Sequence, residues 1–252
     1  MTIFTTIHPS IRRIALAATV IATMLATPVV GLAQSGAAPG VGTPTAAWSC
    51  DMTPGMGMSM SSTPMPAHSG MMEHGQYPFD QLYIDMMIPH HQSIIALAQA
   101  ALPRLTDPRL KTMAESIISA QTTENAQMSA WREAWYGSPT PDLSEHSMMA
   151  MQDAMPVGTM DAMMHEMDPM TQVAAFCSAA NPDLAFIEQT IPHHQMAIDV
   201  SKIALEKAEH PEIKQTAEAV IQAQHAEIDQ LNAIYAELTG GPVPATPATP
   251  AG

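Results

Sequence analysis

The chain has 252 residues, with 24 Asp and Glu against nine Lys and Arg, and it carries 23 Met in a composition only 4% aromatic. A formal charge of −15 excludes nucleic acid as a partner, because phosphate binding needs a basic footprint. Cations suit such a surface, although plain solubility accounts for most of its carboxylates equally well.

Arg12 and Arg13 precede an apolar run, Ile14 to Ala33, that ends in Gly31-Leu32-Ala33. A charged start, an apolar middle and small residues at the cleavage point predict a secretory signal peptide over 1–33, and so a periplasmic or secreted protein. The paired Arg hints at the twin-arginine route. The alternative is an uncleaved anchor, since the run approaches the length that spans a bilayer. Pro28 and the small-residue end favour cleavage, so no stable membrane insertion is expected afterwards. Without these residues seven Lys and Arg face 24 acids, a formal charge of −17.

Residues 34–76 are rich in Gly, Pro, Ser, Thr and Met without a period and predict a flexible arm. Two Cys remain, Cys50 in the arm and Cys177 further on. Export makes a disulfide between them the default; otherwise they are free thiols, and a thiolate is a soft metal ligand.

From residue 77 the chain repeats itself. A shift of 103 residues, without a gap, places Asp80 on Asp183, Tyr83 on Phe186, Asp85 on Glu188, Glu124 on Glu227 and Gly137 on Gly240. It also superposes Ile88-Pro89-His90-His91-Gln92 on Ile191-Pro192-His193-His194-Gln195. A repeat defines architecture before any propensity argument. Copy 1 spans 77–137, a Met-rich connector 138–181, copy 2 182–240, and a Pro/Ala/Thr tail read as disordered 241–252.

Each copy reads as a helical hairpin. Phe79, Tyr83, Met87, His90, Ile94, Leu97 and Ala101 recur at steps of three and four, the helical period. After a break at Pro103, Asp107-Pro108 supplies an N-cap and a first-turn proline. The second helix carries Ile117, Gln121, Glu124, Met128, Trp131 and Trp135 on one seam. Copy 2 repeats the pattern, with His210 before Pro211 as its helix start. No segment alternates with period two. The prediction is all-α, a four-helix bundle of two repeated antiparallel hairpins. The period runs through Pro89 and Pro192, which predicts kinked helices with freed carbonyls at Asp85 and Glu188. The alternative is that each Pro opens a new helix.

The seams are interrupted by polar residues at one level. Folding each hairpin at its turn brings His90 toward Gln121, Met86 toward Glu124, and His193 between Gln224 and Glu227. An unpaired buried polar group costs roughly 1–3 kcal/mol, so a belt kept in both copies implies a role. Adjacent residues lie about 100° apart on a helix. His90 and His193 are therefore expected to face the core, and His91 and His194 the rim or the connector. Imidazole binds copper, zinc, nickel and iron, and thioether selects Cu(I) or Ag(I). Met86 and Met87 share His90's face, and Met196 stands three residues after His193. The metal-ligand set expected is Met86, Met87, His90, His91, His193, His194 and Met196. Glu124, Glu227, Gln121, Gln224, Met128, His225, His165 and His146 are further candidates, with the two Glu expected as partners of the His ligands. Met is also the usual filler of bundle cores, the better reading for Met113 and Met128. That role explains the arm badly, where Met52, Met56, Met58 and Met60 stand among Gly, Pro and Ser.

Phe79-Asp80, Met87-Ile88-Pro89-His90-His91-Gln92, Gln121-x-x-Glu124, Trp135-Tyr136-Gly137, the Met-rich connector and the second His-His together resemble the family called domain of unknown function 305. The resemblance covers about residues 77–240. It implies a ferritin-like four-helix bundle, mostly in exported bacterial proteins, some linked to copper binding and resistance. Carried over, the family's His pairs are His90/His91 and His193/His194, and its adjoining Met is Met87. Copy 2 departs from the pattern, with Gln189, Thr190 and Leu231 where copy 1 has Met86, Met87 and Met128. It is expected to be the weaker Cu(I) site of two.

The function this supports is capture, buffering or sequestration of copper, with Cu(I) favoured over Cu(II) or Ag(I). Metal ions are the partners, with a copper exporter or another exported copper protein as a further one. No enzyme activity is expected. A ferritin-like oxidase is the alternative, but its chemistry wants Glu-x-x-His from two helices, and none occurs in the chain. A purely structural bundle would leave the Met-rich arm unexplained.

Overall fold

The computed structural model describes residues 48–51, 77–156 and 159–244. The segment read as a signal peptide and most of the arm lie outside these residues. The described chain forms seven helices and, among the described residues, no strand: α1 (Phe79–Ala101), α2 (Pro108–Tyr136), α3 (Glu145–Ala154), α4 (Thr159–Glu166), α5 (Pro169–Ser178), α6 (Pro182–Lys207) and α7 (Pro211–Thr239). The four long helices are the two predicted hairpins, α1–α2 and α6–α7.

Their ends follow from local chemistry. Asp107 caps α2 by accepting from the Arg109 amide, and Asn181 caps α6 by accepting from Asp183 and Leu184, each with Pro at the start of the helix. His210 occupies the N-cap position of α7. Both hairpins end on a glycine in the left-handed region, Gly137 at φ 80° and Gly240 at φ 76°, where any side chain would be strained. α1 and α6 continue through Pro89 and Pro192, so neither proline opens a helix.

α1 is the centre of the molecule. Of its 23 residues 17 are buried, against seven of 29 in α2. It packs on α2, α5 and α6, so almost every face is covered. The connector, read from sequence as one Met-rich link, is three short helices laid against α1 and α6. Ser144 and Asp168 cap α3 and α5.

Two reciprocal anchors set how the hairpins meet. Asp80, at the start of α1, accepts from the backbone amides of Glu209 and His210 in the α6–α7 turn. Asp183, its repeat partner, accepts from the amides of Thr106 and Asp107 in the α1–α2 turn. Each copy thus caps the other's turn, and α1 and α6 run antiparallel. A second repeated pair ties each hairpin internally. Buried Arg132 donates to Asp85 from α2 to α1, and Tyr235 donates to Glu188 at 2.9 Å from α7 to α6.

The apolar core is split by the same symmetry. One half holds Tyr83, Ile84, Met128, Ala197, Val200, Ala204, Ile213, Ala217 and Val220. The other holds their repeat equivalents Phe186, Ile187, Leu231, Ile94, Leu97, Ala101, Leu110, Ala114 and Ile117. The His pairs lie between the halves.

Part of the segment read as a free arm is docked. Cys50 and Cys177 form a disulfide with a Cα–Cα distance of 5.4 Å. Trp48 packs over Ala96, Ala100 and Val173, and its amide donates to Gln99. Arg104 donates to the Cys177 carbonyl at 2.8 Å. Val243, in the segment read as a disordered tail, packs against the second core half; residues 245–252 lie outside the described ones.

A crosslink closing 127 residues of separation restricts the unfolded chain strongly. Replacing Cys50 and Cys177 together by Ser is expected to cost about 2–5 kcal/mol while helix content survives. Circular dichroism melts of both forms check this, and an unchanged midpoint would show the crosslink to be idle.

Candidate metal centre

All four histidines of the repeat are buried. His90 on α1 and His193 on α6 stack face to face across the hairpins, with ring centroids 3.6 Å apart. His193 Nε2 lies 2.9 Å from the His90 carbonyl and 3.0 Å from Ser93 Oγ. A carbonyl only accepts, so the proton sits on Nε2 and the Nδ1 lone pair is free. Ser93 Oγ also donates to the Glu166 carbonyl at the end of α4, so the connector closes this side of the belt.

His91 and His194 were expected at the rim. They are instead as buried as their neighbours, because α1 and α6 each contact both a hairpin partner and the other hairpin. Each turns toward its own hairpin's glutamate. His194 Nε2 stands 2.8 Å from Glu227, and His91 Nε2 stands 3.6 Å from Glu124. The register read from sequence set Met86 opposite Glu124, whereas the residue beside Glu124 is His91. Gln121 and Gln224 are buried on the same level, and each leaves its carbonyl oxygen without a hydrogen-bond partner.

Neither ring nitrogen of His90 or His91 has a partner that meets hydrogen-bond geometry, nor has Nδ1 of His193 or His194. Burial opposes the charged form of His90, His91 and His193. His90 and His193 are held well below the ordinary imidazole value, first by burial and then by the neighbouring rings. Burial lowers His91 to about 3, opposed by the Asn125 amide beside it. Burial, and then the charge of Glu227, raises Glu124 to about 7. Neutral imidazoles with free lone pairs are the state a metal ion requires.

The thioethers are distributed unequally. Met86, Met87 and Met128 are fully buried in the first core half, with Met151, Met155 and Met163 of the connector beside them. Met196, expected to serve copy 2 separately, packs against the same half. The second half contains one buried Met, Met113. His90 and His193 thus meet at the crossing of the hairpins, with most of the buried thioethers on one side of them. The cause is the antiparallel crossing of α1 and α6, which puts the N-terminal half of α1 beside the C-terminal half of α6.

Three other candidates do not join the belt. His146 on α3, His165 on α4 and His225 on α7 are exposed. Among the described residues no three His, Cys, Asp or Glu side chains are already gathered around one point. The His–Glu contacts stand as two pairs, His91 with Glu124 and His194 with Glu227. Sequence reasoning missed Ser93 and Arg132. Ser93 has no polar repeat equivalent in Met196; Arg132 could have been sought from the acid kept at Asp85 and Glu188.

A model of the family described as "Domain of unknown function (DUF305)" matches residues 80–235. The chain belongs to the DUF305 family. CopM in its Cu(I)-bound form is similar at 34% identity and TM-score 0.52, over 66% of this chain and 100% of that one. Its Cu(II)-bound form aligns at 32% identity and TM-score 0.50, over 65% of this chain and 99% of that one. A DUF305 crystal structure from Streptomyces coelicolor, at 17% identity and TM-score 0.55 over 67% of this chain and 98% of that one, shows the shared fold. The Uncharacterized protein L153 of Acanthamoeba polyphaga mimivirus is 40% identical over 55 residues, 22% of this chain and only 36% of that protein's length.

The neutral imidazoles set a pH dependence for metal-free protein. His91 takes its proton near 6.5 when unfolded and near 3 when folded, and His90 and His193 shift the same way. Below about pH 6.5 the unfolded chain therefore binds protons that the folded one does not, and stability falls on acidification. Glu124 opposes this between 4.5 and about 7, and Asp85 and Glu166, also raised by burial, act in the same sense as Glu124. The thermal midpoint of metal-free protein is expected to drop from pH 6.5 to pH 5; a rise would mean the carboxyls dominate.

Proposed function

We propose that this protein captures and sequesters copper outside the cytoplasm, with Cu(I) as its preferred ion, through His90, His193 and the thioethers of Met86, Met87 and Met196, with His91 and His194 on the same belt. The observation that carries the reading is the belt itself: four buried imidazoles with unpartnered ring nitrogens against a Met-rich core half. Leaving them unpaired costs stability with no structural return, whereas soft N and S donors suit Cu(I) and Ag(I). CopM, crystallised with Cu(I), Cu(II) and Ag, supports the same ligand class. No helix among the described residues is long and apolar enough to cross a membrane. The disulfide fits an oxidising compartment. The role is binding without turnover. A copper exporter or another exported copper protein would be the source or recipient of the ion.

Competition against a Cu(I) chelator, with Zn(II) titrated in parallel, tests this. Cu(I) is expected to be held at least about tenfold more tightly than Zn(II), about 1.4 kcal/mol, and equal or better retention of zinc would overturn the reading. Because the His90 and His193 rings touch, His90→Ala and His193→Ala are each expected to lower Cu(I) affinity by a similar factor. Ala is a good helix former, so helix content should hold. A loss confined to His90→Ala would restore the picture of unequal separate sites.

A further inference from the structure

The two copies differ one turn beyond their inward-facing histidines. Ser93 stands three residues after His90, and its repeat equivalent, three residues after His193, is Met196. Ser93 is fully buried, and three helices meet at its hydroxyl. Ser93 Oγ lies 3.0 Å from His193 Nε2 on α6 and 2.8 Å from the His90 carbonyl on α1, and it donates to the Glu166 carbonyl at the end of α4. Gln172 on α5, also buried, donates to the Glu166 carboxylate at 2.7 Å and ties that end of α4 down. The protons can be allotted one by one. His193 Nε2 lies against two oxygens, the His90 carbonyl at 2.9 Å and Ser93 Oγ. A bare nitrogen lone pair there would face the lone pairs of a carbonyl, which only accepts. Nε2 therefore carries the proton and shares it between the two oxygens. The single proton of the Ser93 hydroxyl goes to Glu166.

We propose that Ser93 is a positioning residue of the copper site: with the His90 carbonyl it holds His193 as the Nε2–H tautomer, so that His193 takes the ion through Nδ1 alone. The inference rests on the copper reading and adds to it which nitrogen is used and what decides it. The ring nitrogen open to a metal is set by the hydrogen bond that the other nitrogen makes. Nδ1 of His193 is buried without a hydrogen-bond partner, so it keeps the one lone pair left on that ring. His90 has no such lock. Neither of its nitrogens has a partner. Where the repeat would supply a second hydroxyl, copy 2 carries the Met196 thioether, which cannot donate and accepts only weakly. The stacked pair thus joins a ring of fixed tautomer to a ring free to offer either nitrogen. Through Glu166 and Gln172 the fixed ring is also tied to α4 and α5.

The test is proton–nitrogen correlation NMR of the full mature chain with nitrogen-labelled histidine, metal-free and after addition of Cu(I). His193 is assigned by the signal that disappears in His193→Ala. In metal-free wild type it is expected to show a protonated Nε2 whose ring N–H exchanges slowly with water. Cu(I) is expected to shift its Nδ1 while that N–H persists. Loss of the N–H on Cu(I) binding, or a metal shift at Nε2, overturns the proposal and leaves the copper reading standing. Absence of Cu(I) binding in wild type overturns the copper reading, while the metal-free spectrum still reports the lock. Ser93→Ala removes one acceptor from Nε2–H and leaves both histidines in place. In that variant the N–H is expected to exchange faster with water, and Cu(I) affinity to fall at least about tenfold. A lower thermal midpoint with N–H exchange and Cu(I) affinity unchanged would reduce Ser93 to a packing residue and overturn its role. The wild-type spectra need no variant to fold, and a His193 ring protonated at Nδ1 overturns the proposal by itself.

Discussion

The antiparallel crossing of α1 and α6 decides the rest of this molecule. It is held at both ends by carboxylates, Asp80 on the amides of the second turn and Asp183 on those of the first. Hydrogen bonds to a charged acceptor contribute about 1.5–3 kcal/mol each, and these also satisfy amides at helix starts that would otherwise lack partners. With the ends pinned, the helix centres have no freedom in register, and His90 meets His193. A one-turn slip of about 5.4 Å would separate the rings and bring Tyr83 away from Ser201, whose hydroxyls lie 3.0 Å apart in the core. The belt is therefore a consequence of bonds made far from it.

The symmetry that builds the belt is broken by what fills the space beside it. Related positions carry Met128 and Leu231, Met87 and Thr190, Tyr83 and Phe186. The connector then covers only the first half with Met151, Met155 and Met163. A duplicated hairpin thus places thioethers on one side of the belt and aliphatic or aromatic side chains on the other, without any change in backbone plan. Met suits this because an unbranched thioether fills irregular gaps as well as any hydrophobe, so a ligand-rich half of the core costs little in packing.

The helices were legible in the sequence because their ends are written in single residues. Pro108, Pro182 and Pro211 open them, Asp107 and Asn181 cap them, and Gly137 and Gly240 close them. The directions of the side chains were less legible. One apolar seam per helix is a fair rule for a helix at the edge of a bundle, but α1 is covered nearly all round, so His91 had a buried face available that a single-seam reading denies it. For this reason the His91–Glu124 contact was missed, and Glu124 was set opposite Met86. The Arg132–Asp85 pair was hidden differently. Its acid is kept in copy 2 as Glu188, but its donor becomes Tyr235, so aligning the copies erased the signal. The anchors at Asp80 and Asp183 were visible as a repeated residue, but their partners are backbone amides, which no sequence names.

The connector is where sequence and structure differ most, and the difference bears on how ions reach the belt. A loose Met-rich link would leave His90 and His193 open to water. Three short helices instead seat the Glu166 carbonyl on Ser93, beside the His193 ring, and keep water from the imidazoles of His90 and His193, whose charged forms burial opposes. Stripping water from a charge grows more costly as the charge rises, so enclosure of that kind weighs most against strongly hydrated divalent ions. The glutamates beside His91 and His194 are partly exposed, at 27% and 22%, so the belt is closed to water at the stacked rings and reaches solvent at the carboxylates.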